Sequence, residues 1–188
     1  MNYSAIKEND IANGPGVRSV LFVSGCRNHC RGCFQPETWD FGNGKPFTEK
    51  TARMLIESLR PEHIQGLTLL GGDPFEEENQ AALFPFLEEV RAEYGKDKDI
   101  WAYTGYLFDK DLAPGGRKHT PDTDGILSMI DVLVDGPFML EKKNISLRFR
   151  GSENQRVIDV QRSLRENRII QMPGYAVPEK KAHPCKSR

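Results

Sequence analysis

Gly66-Leu67-Thr68-Leu69-Leu70-Gly71-Gly72-Asp73-Pro74 decides the fold. A short apolar run stops at a glycine pair, which predicts a buried strand. Glu76 to Tyr94 then reads as a helix, with Leu83, Phe86, Leu87 and Val90 at helical spacing. Pro85 lies inside it and predicts a bend. Ile100-Trp101-Ala102-Tyr103-Thr104 reads as the next strand. Strand, helix and strand make one βα unit with its successor.

The same alternation extends both ways. Upstream, Arg18-Ser19-Val20-Leu21-Phe22-Val23-Ser24 is β-rich and ends at Gly25. Thr48 to Leu59 predicts a helix capped by Thr48, with Met54, Leu55, Ile56 and Leu59 on its inner side. Downstream, Gly125 to Met129 is a short helix, Ile130 to Asp135 a fourth strand and Arg156 to Val160 a fifth. Residues 36–46 and 112–124 read as long loops. The expected fold class is α/β, with parallel strands and outer helices. Residues 1–177 are expected to form one domain, and 178–188 a flexible tail.

In parallel α/β folds, ligands bind at the carboxyl ends of the strands. Four unusual segments fall there: a cysteine loop, Gly71-Gly72-Asp73-Pro74, Thr104-Gly105-Tyr106 and Gly136-Pro137-Phe138. They are expected to converge on one site.

The cysteine loop is Cys26-Arg27-Asn28-His29-Cys30-Arg31-Gly32-Cys33. It offers three thiols and no obvious fourth ligand. One reading is a [4Fe–4S] cluster held by Cys26, Cys30 and Cys33, with one iron left open. A second is zinc, with His29 or the remote Cys185 completing the set. A third is a redox pair at Cys30 and Cys33. Zinc sites usually show paired ligands across a spacer, so the spacing favours the cluster.

Composition narrows the class. The chain has 188 residues, 26 Lys and Arg against 27 Asp and Glu, and a formal charge of −1. No basic stripe marks a nucleic-acid binder. No apolar run approaches the roughly 20 residues that span a membrane, and the amino terminus has no apolar signal region. Four cysteines in a chain of this length do not make a disulfide scaffold. A cytoplasmic protein is expected.

Other motifs have bland readings. Gly71-Gly72-Asp73-Pro74 alone is a strand-ending turn; beside the cysteine loop, its backbone and Asp73 could bind an ammonium group. Asn13-Gly14-Pro15-Gly16-Val17-Arg18 is a turn at the sheet's amino end or near the site, and Arg18 is a carboxylate contact or a solvated charge, with the second reading favoured. Asp135 is a turn cap or a ligand contact. Arg148 to Arg156 is a solvated basic loop, a partner contact or a contact to a ligand carboxylate. His29, His63, His119 and His183 read as surface residues. Trp39, Trp101, Tyr103 and Tyr106 read as core or pocket wall.

Taken together, these residues resemble the radical S-adenosylmethionine enzymes. The motifs that carry this are the cysteine loop after the first predicted strand and Gly71-Gly72-Asp73-Pro74 after the second. Further motifs are similar to the branch that activates anaerobic ribonucleoside-triphosphate reductase. They are Asn13 to Arg18, Cys30 to Phe34, Trp39, Trp101 to Tyr106, Asp135 to Phe138 and Arg148 to Arg156.

The resemblance implies a partial (βα) barrel, a [4Fe–4S] cluster and S-adenosylmethionine. It implies that Cys26, Cys30 and Cys33 ligate the cluster. Gly32, Cys33 and Phe34 would line the adenosyl pocket. Gly71, Gly72 and Asp73 would meet the methionine amino group, and Asp135 would be a further contact. The implied product is a 5′-deoxyadenosyl radical that takes hydrogen from a glycine on the reductase large subunit. A small electron donor such as flavodoxin or ferredoxin would reduce the cluster. Two departures stand out: Gly32 replaces a frequent aromatic, and Asp73 replaces the commoner glutamate. The alternatives are an activase of the formate-lyase type, a radical enzyme for a free metabolite, and a non-catalytic zinc or redox module.

Overall fold

The computed structural model describes residues 1–175. The tail expected from Pro178 on, with His183 and Cys185, lies outside the described residues. Seven strands form one mixed sheet: β1 (Asn2–Asp10), β2 (Val17–Val23), β3 (Lys45–Pro46), β4 (Ile64–Gly71), β5 (Asp99–Tyr103), β6 (Val132–Asp135) and β7 (Arg156–Asp159). Their order is β3-β1-β2-β4-β5-β6-β7. The helices are α1 (Glu49–Ser58), α2 (Glu77–Tyr94), α3 (Thr123–Met129) and α4 (Val160–Glu166).

β2, β4, β5 and β6 pair in parallel. Each new strand joins the same side of its predecessor, after a helix. Such crossovers are right-handed, so successive helices lie on one face of the sheet. The expectation of parallel strands holds for these four only. β1, β3 and β7 are antiparallel flanks.

The pleat sorts side chains between two faces. Leu21, Val23, Leu67, Leu69, Ile100, Ala102 and Leu133 join the main core with Leu55, Leu83, Leu87 and Val90 of the helices. On the other face, Trp101, Val132, Val134 and Val157 form a smaller cluster. Helix starts follow local chemistry: Thr48 Oγ1 accepts from the Thr51 N–H at 3.3 Å, capping α1 as expected. α2 runs on through Pro85.

Arg18 corrects the sequence reading: it is fully buried, not solvated. It shares the helix-free face with Val20 and Phe22. Its Nε donates to Thr68 Oγ1 at 2.7 Å and its Nη2 to the Leu67 carbonyl at 2.8 Å. Asp99 pairs with it, and Trp101 lies 5.7 Å from its guanidinium carbon. Nη1 reaches the Pro15 carbonyl, so the Gly14-Pro15-Gly16 turn belongs to the amino end of the sheet. A Cβ at Gly14 would come within 2.7 Å of Arg18 Cδ, which reserves that place for glycine.

Candidate active site

The four segments at the carboxyl strand ends do converge. They line a cleft of about 790 Å³ on the helix-free face, with Phe22, Leu70 and Tyr103 in its wall. Lys7 of β1 and Arg150, near β7, line the same cleft. These positions come from opposite flanks of one sheet.

The cysteine loop leaves β2 through Gly25, whose φ is 98°. A Cβ there would strike the Phe41 ring at 2.3 Å. The Gly25 N–H donates to the Thr38 carbonyl and the Cys26 N–H to that of Trp39. Gly32, at φ 77°, shapes the next turn, and the Cys33 N–H donates to the Cys30 carbonyl at 3.0 Å. Cys26, Cys30 and Cys33 are free thiols and all line the cleft. Burial, reinforced by Asp73, pushes the Cys26 thiol up to about 12. Burial also raises Cys30. A cation must therefore compensate these thiolates when they form. His29, considered above as a zinc ligand, is exposed and stacks on Trp39 at 4.7 Å. Among the described residues, no three His, Cys, Asp or Glu side chains gather around a single metal ion.

The glycine pair fits close against this loop. Gly71 has φ 106°, and a Cβ on it would meet the Val23 carbonyl oxygen at 2.7 Å. At Gly72 a Cβ would lie 2.5 Å from the Gly25 carbonyl oxygen. The Gly72 N–H donates to Val23 and the Asp73 N–H to Gly25.

Asp73 is buried, and its carboxylate already accepts four hydrogen bonds. The donors are Asn28 Nδ2, the Phe75 and Gly105 N–H groups, and Thr104 Oγ1. Burial outweighs these donors and pushes the carboxyl up to about 7. Asp73 thus ties the loops after β2, β4 and β5 together while lining the cleft.

Seven expected positions meet here: Cys26, Cys30, Cys33, Phe34, Gly71, Gly72 and Asp73. Gly32 and Asp135 are not in the lining. A Cβ on Gly32 would face Leu140 at 3.1 Å. Asp135, expected as a ligand contact, shares the pleat face of Leu133, away from the cleft. It pairs with Arg156, its direct neighbour across the strands, and accepts from the Phe108 N–H at 2.9 Å. Gly136 and Phe138 line the cleft in its place.

Two residues escaped the sequence reading. Glu76 is fully buried, and its carboxylate accepts from Arg27, Tyr106 and Lys118. Asn79 Nδ2 donates to the carbonyls of Ser24 and Asp73. The available signal was a carboxylate at a helix cap, packed against Phe75 in the sequence.

Three thiols on one loop, with no fourth protein ligand beside them among the described residues, suit a cluster that keeps one iron accessible. The family described as "4Fe-4S single cluster domain" matches residues 12–158. The anaerobic ribonucleoside-triphosphate reductase-activating protein of Pasteurella multocida is 44% identical over 82% of this chain and 95% of its own. Its namesake in Escherichia coli K12 is 40% identical over 82% and 96%. That of enterobacteria phage T4 is 40% identical over 84% and 93%. The cluster-domain match and near full-length relatives together show that the chain belongs to the family of anaerobic ribonucleoside-triphosphate reductase-activating proteins.

Proposed function

We propose that this protein activates an anaerobic ribonucleoside-triphosphate reductase by placing a glycyl radical on its large subunit. The observation that carries this is the shared cleft of Cys26, Cys30 and Cys33 with Gly71, Gly72 and Asp73. Held by Cys26, Cys30 and Cys33, a [4Fe–4S] cluster with S-adenosylmethionine would supply the one-electron chemistry that generates a radical able to take a hydrogen atom from the glycine.

The chain's own residues bind, orient and shield. Cys26, Cys30 and Cys33 are the thiolate ligands. Gly71 and Gly72 keep the main chain open to the methionine amino group. Asp73 adds a carboxylate whose four donors hold it in place. Cys33 and Phe34, with Gly32 setting their turn, form the adenosyl side. Asp135 holds the end of β6, and so positions Gly136. No general base is required.

The architecture is read as a partial (βα) barrel within a single domain over residues 1–177. In support, the parallel strands progress in one direction, and both flanks of the sheet line one cleft. The reductant is proposed to be flavodoxin or ferredoxin, and the site of action the cytoplasm. No helix among the described residues is long and apolar enough to cross a membrane.

Anaerobic reconstitution with iron and sulfide, then reduction with S-adenosylmethionine, should release 5′-deoxyadenosine. Adding the reductase large subunit should give a glycyl-radical EPR signal. An intact cluster that releases no 5′-deoxyadenosine would defeat the radical reading. A signal on another glycyl-radical protein, and none on the reductase, would defeat the partner.

A further inference from the structure

Glu76 has no part in the chemistry above, yet it lies directly behind the cysteine loop. Its side chain is shut off from solvent, and Lys118 donates to it from one side at 2.6 Å. Arg27 donates from the other side, through its main-chain N–H as well as its guanidinium. The same guanidinium forks onto both oxygens of Glu78 and lies 4.2 Å from the Phe41 ring. Phe41 is also the ring packed against Gly25. Cys26 therefore sits between two clasped neighbours, Gly25 and Arg27.

Two acids, Glu76 and Glu78, balance two cations, Arg27 and Lys118. Their burial is uneven. Arg27 and Glu78 are about half exposed, so water and salt screen them. Glu76 is fully buried and Lys118 only 15% exposed, so their fields carry further into the protein. The field of Glu76 reaches the first cysteine: burial and then Asp73 raise the Cys26 thiol, and Glu76 adds in the same direction. Iron–sulfur potentials respond to net charge and hydrogen bonding around the cluster.

We propose that Glu76 is a positioning residue for the iron–sulfur cluster, which fixes the main chain beside Cys26 and, opposed by Lys118, sets the cluster's reduction potential. This rests on the reading of Cys26, Cys30 and Cys33 as the ligands. Reduction brings one electron from an external donor and breaks no bond. The added negative charge is repelled by Glu76 and attracted by Lys118. Glu76 thus favours the oxidised cluster and Lys118 the reduced one, although neither side chain is a ligand.

Three variants test this. Glu76→Gln keeps an oxygen for the Arg27 N–H and removes the charge. Lys118→Met removes the opposing cation. Glu76→Asp keeps the charge on a shorter stem. Each protein is reconstituted with iron and sulfide and titrated anaerobically at pH 8 with titanium(III) citrate, without S-adenosylmethionine. EPR counts the reduced cluster, and iron and sulfide are assayed. At a fixed solution potential, the ratio of reduced to oxidised cluster is expected to rise about threefold or more in Glu76→Gln and to fall by a similar factor in Lys118→Met. Glu76→Asp should stay near wild type. A merely structural role would lower cluster content in the variants and would not oppose their signs. Ratios that stay at the wild-type value, or that move in one direction in both charge variants, overturn the proposal. So does a Glu76→Asp shift as large as that of Glu76→Gln. If Glu76→Gln holds no cluster, Lys118→Met decides, and an unchanged or raised ratio there overturns the proposal. Wild-type protein that takes up no cluster overturns the ligand reading and this inference with it. A normal wild-type cluster with unmoved variants overturns the inference alone.

Discussion

Arg27 ends twice on Glu76: its main-chain N–H and its guanidinium each reach the carboxylate at 2.7 Å. Tyr106 and Lys118 each donate to the same group at 2.6 Å. One buried carboxylate thus joins the cysteine loop, the loop after β5 and the segment before α3. Arg27 is half exposed, so removing this carboxylate costs chiefly its hydrogen bonds to partly buried donors, about 1–3 kcal/mol. Glu76→Ala is expected to lose stability of that order, read as a lower urea midpoint of the metal-free protein. A shift below about 1 kcal/mol would show that Arg27 and Lys118 find other partners.

Acid and base act on Asp73 and Glu76 in opposite senses. Burial lifts Asp73 to about 7, whereas an unfolded carboxyl titrates near 4. The folded chain therefore keeps a proton that the unfolded chain releases, and Asp73's contribution to stability falls between about pH 4 and pH 7. Burial opposes ionisation of Glu76 too, but Lys118, Tyr106 and Arg27 together hold its carboxyl below the usual range. Its contribution is present above about pH 4 and is lost as pH falls further. Urea midpoints of metal-free wild type and Asp73→Asn, compared from about pH 4 to pH 7, isolate the first effect. Wild type should decline more steeply; parallel curves would show Asp73 fully ionised in the fold.

Gly72→Ala would drive a methyl group toward the Gly25 carbonyl oxygen, 2.5 Å away and part of the main chain. Overpacking of this kind costs about 1–3 kcal/mol. A lower thermal midpoint of the metal-free protein is expected, with weaker cluster retention because Gly25 precedes Cys26. An alanine variant as stable as wild type would mean that the loop can move aside.

Cys26→Ala, Cys30→Ala and Cys33→Ala should each abolish cluster incorporation, judged by iron and sulfide content after anaerobic reconstitution. Cys185→Ala should retain it. A cluster-free Cys185→Ala protein would add a fourth ligand to the set.

The central βα units were legible because strands buried on both faces read as apolar runs, and α2 carries Leu83, Phe86, Leu87 and Val90 in register. The convergence of the strand-end loops followed from that topology. β1 was not legible: Asn2 to Asp10 has little apolar character, and its strand state depends on pairing with β2. Arg18 was misread because burial of a cation is decided by remote acceptors at Leu67, Thr68 and Asp99. Between the two readings of Asp135 the sequence could not choose, because one residue of pleat separates the cleft side from the helix side, where Asp135 meets Arg156. Glu76 was missed because all of its donors, on Arg27, Tyr106 and Lys118, lie elsewhere in the chain.

His29 adopts φ 44° and lies on Trp39, while its loop is tied down at Thr38, Trp39, Glu76 and Asp73. Every one of these anchors is protein on protein. The cradle's shape is therefore inherited from the fold and does not have to be taught by iron. On these anchors the loop is expected to keep its shape in the metal-free protein, so that reconstitution with iron and sulfide refills the site without refolding it.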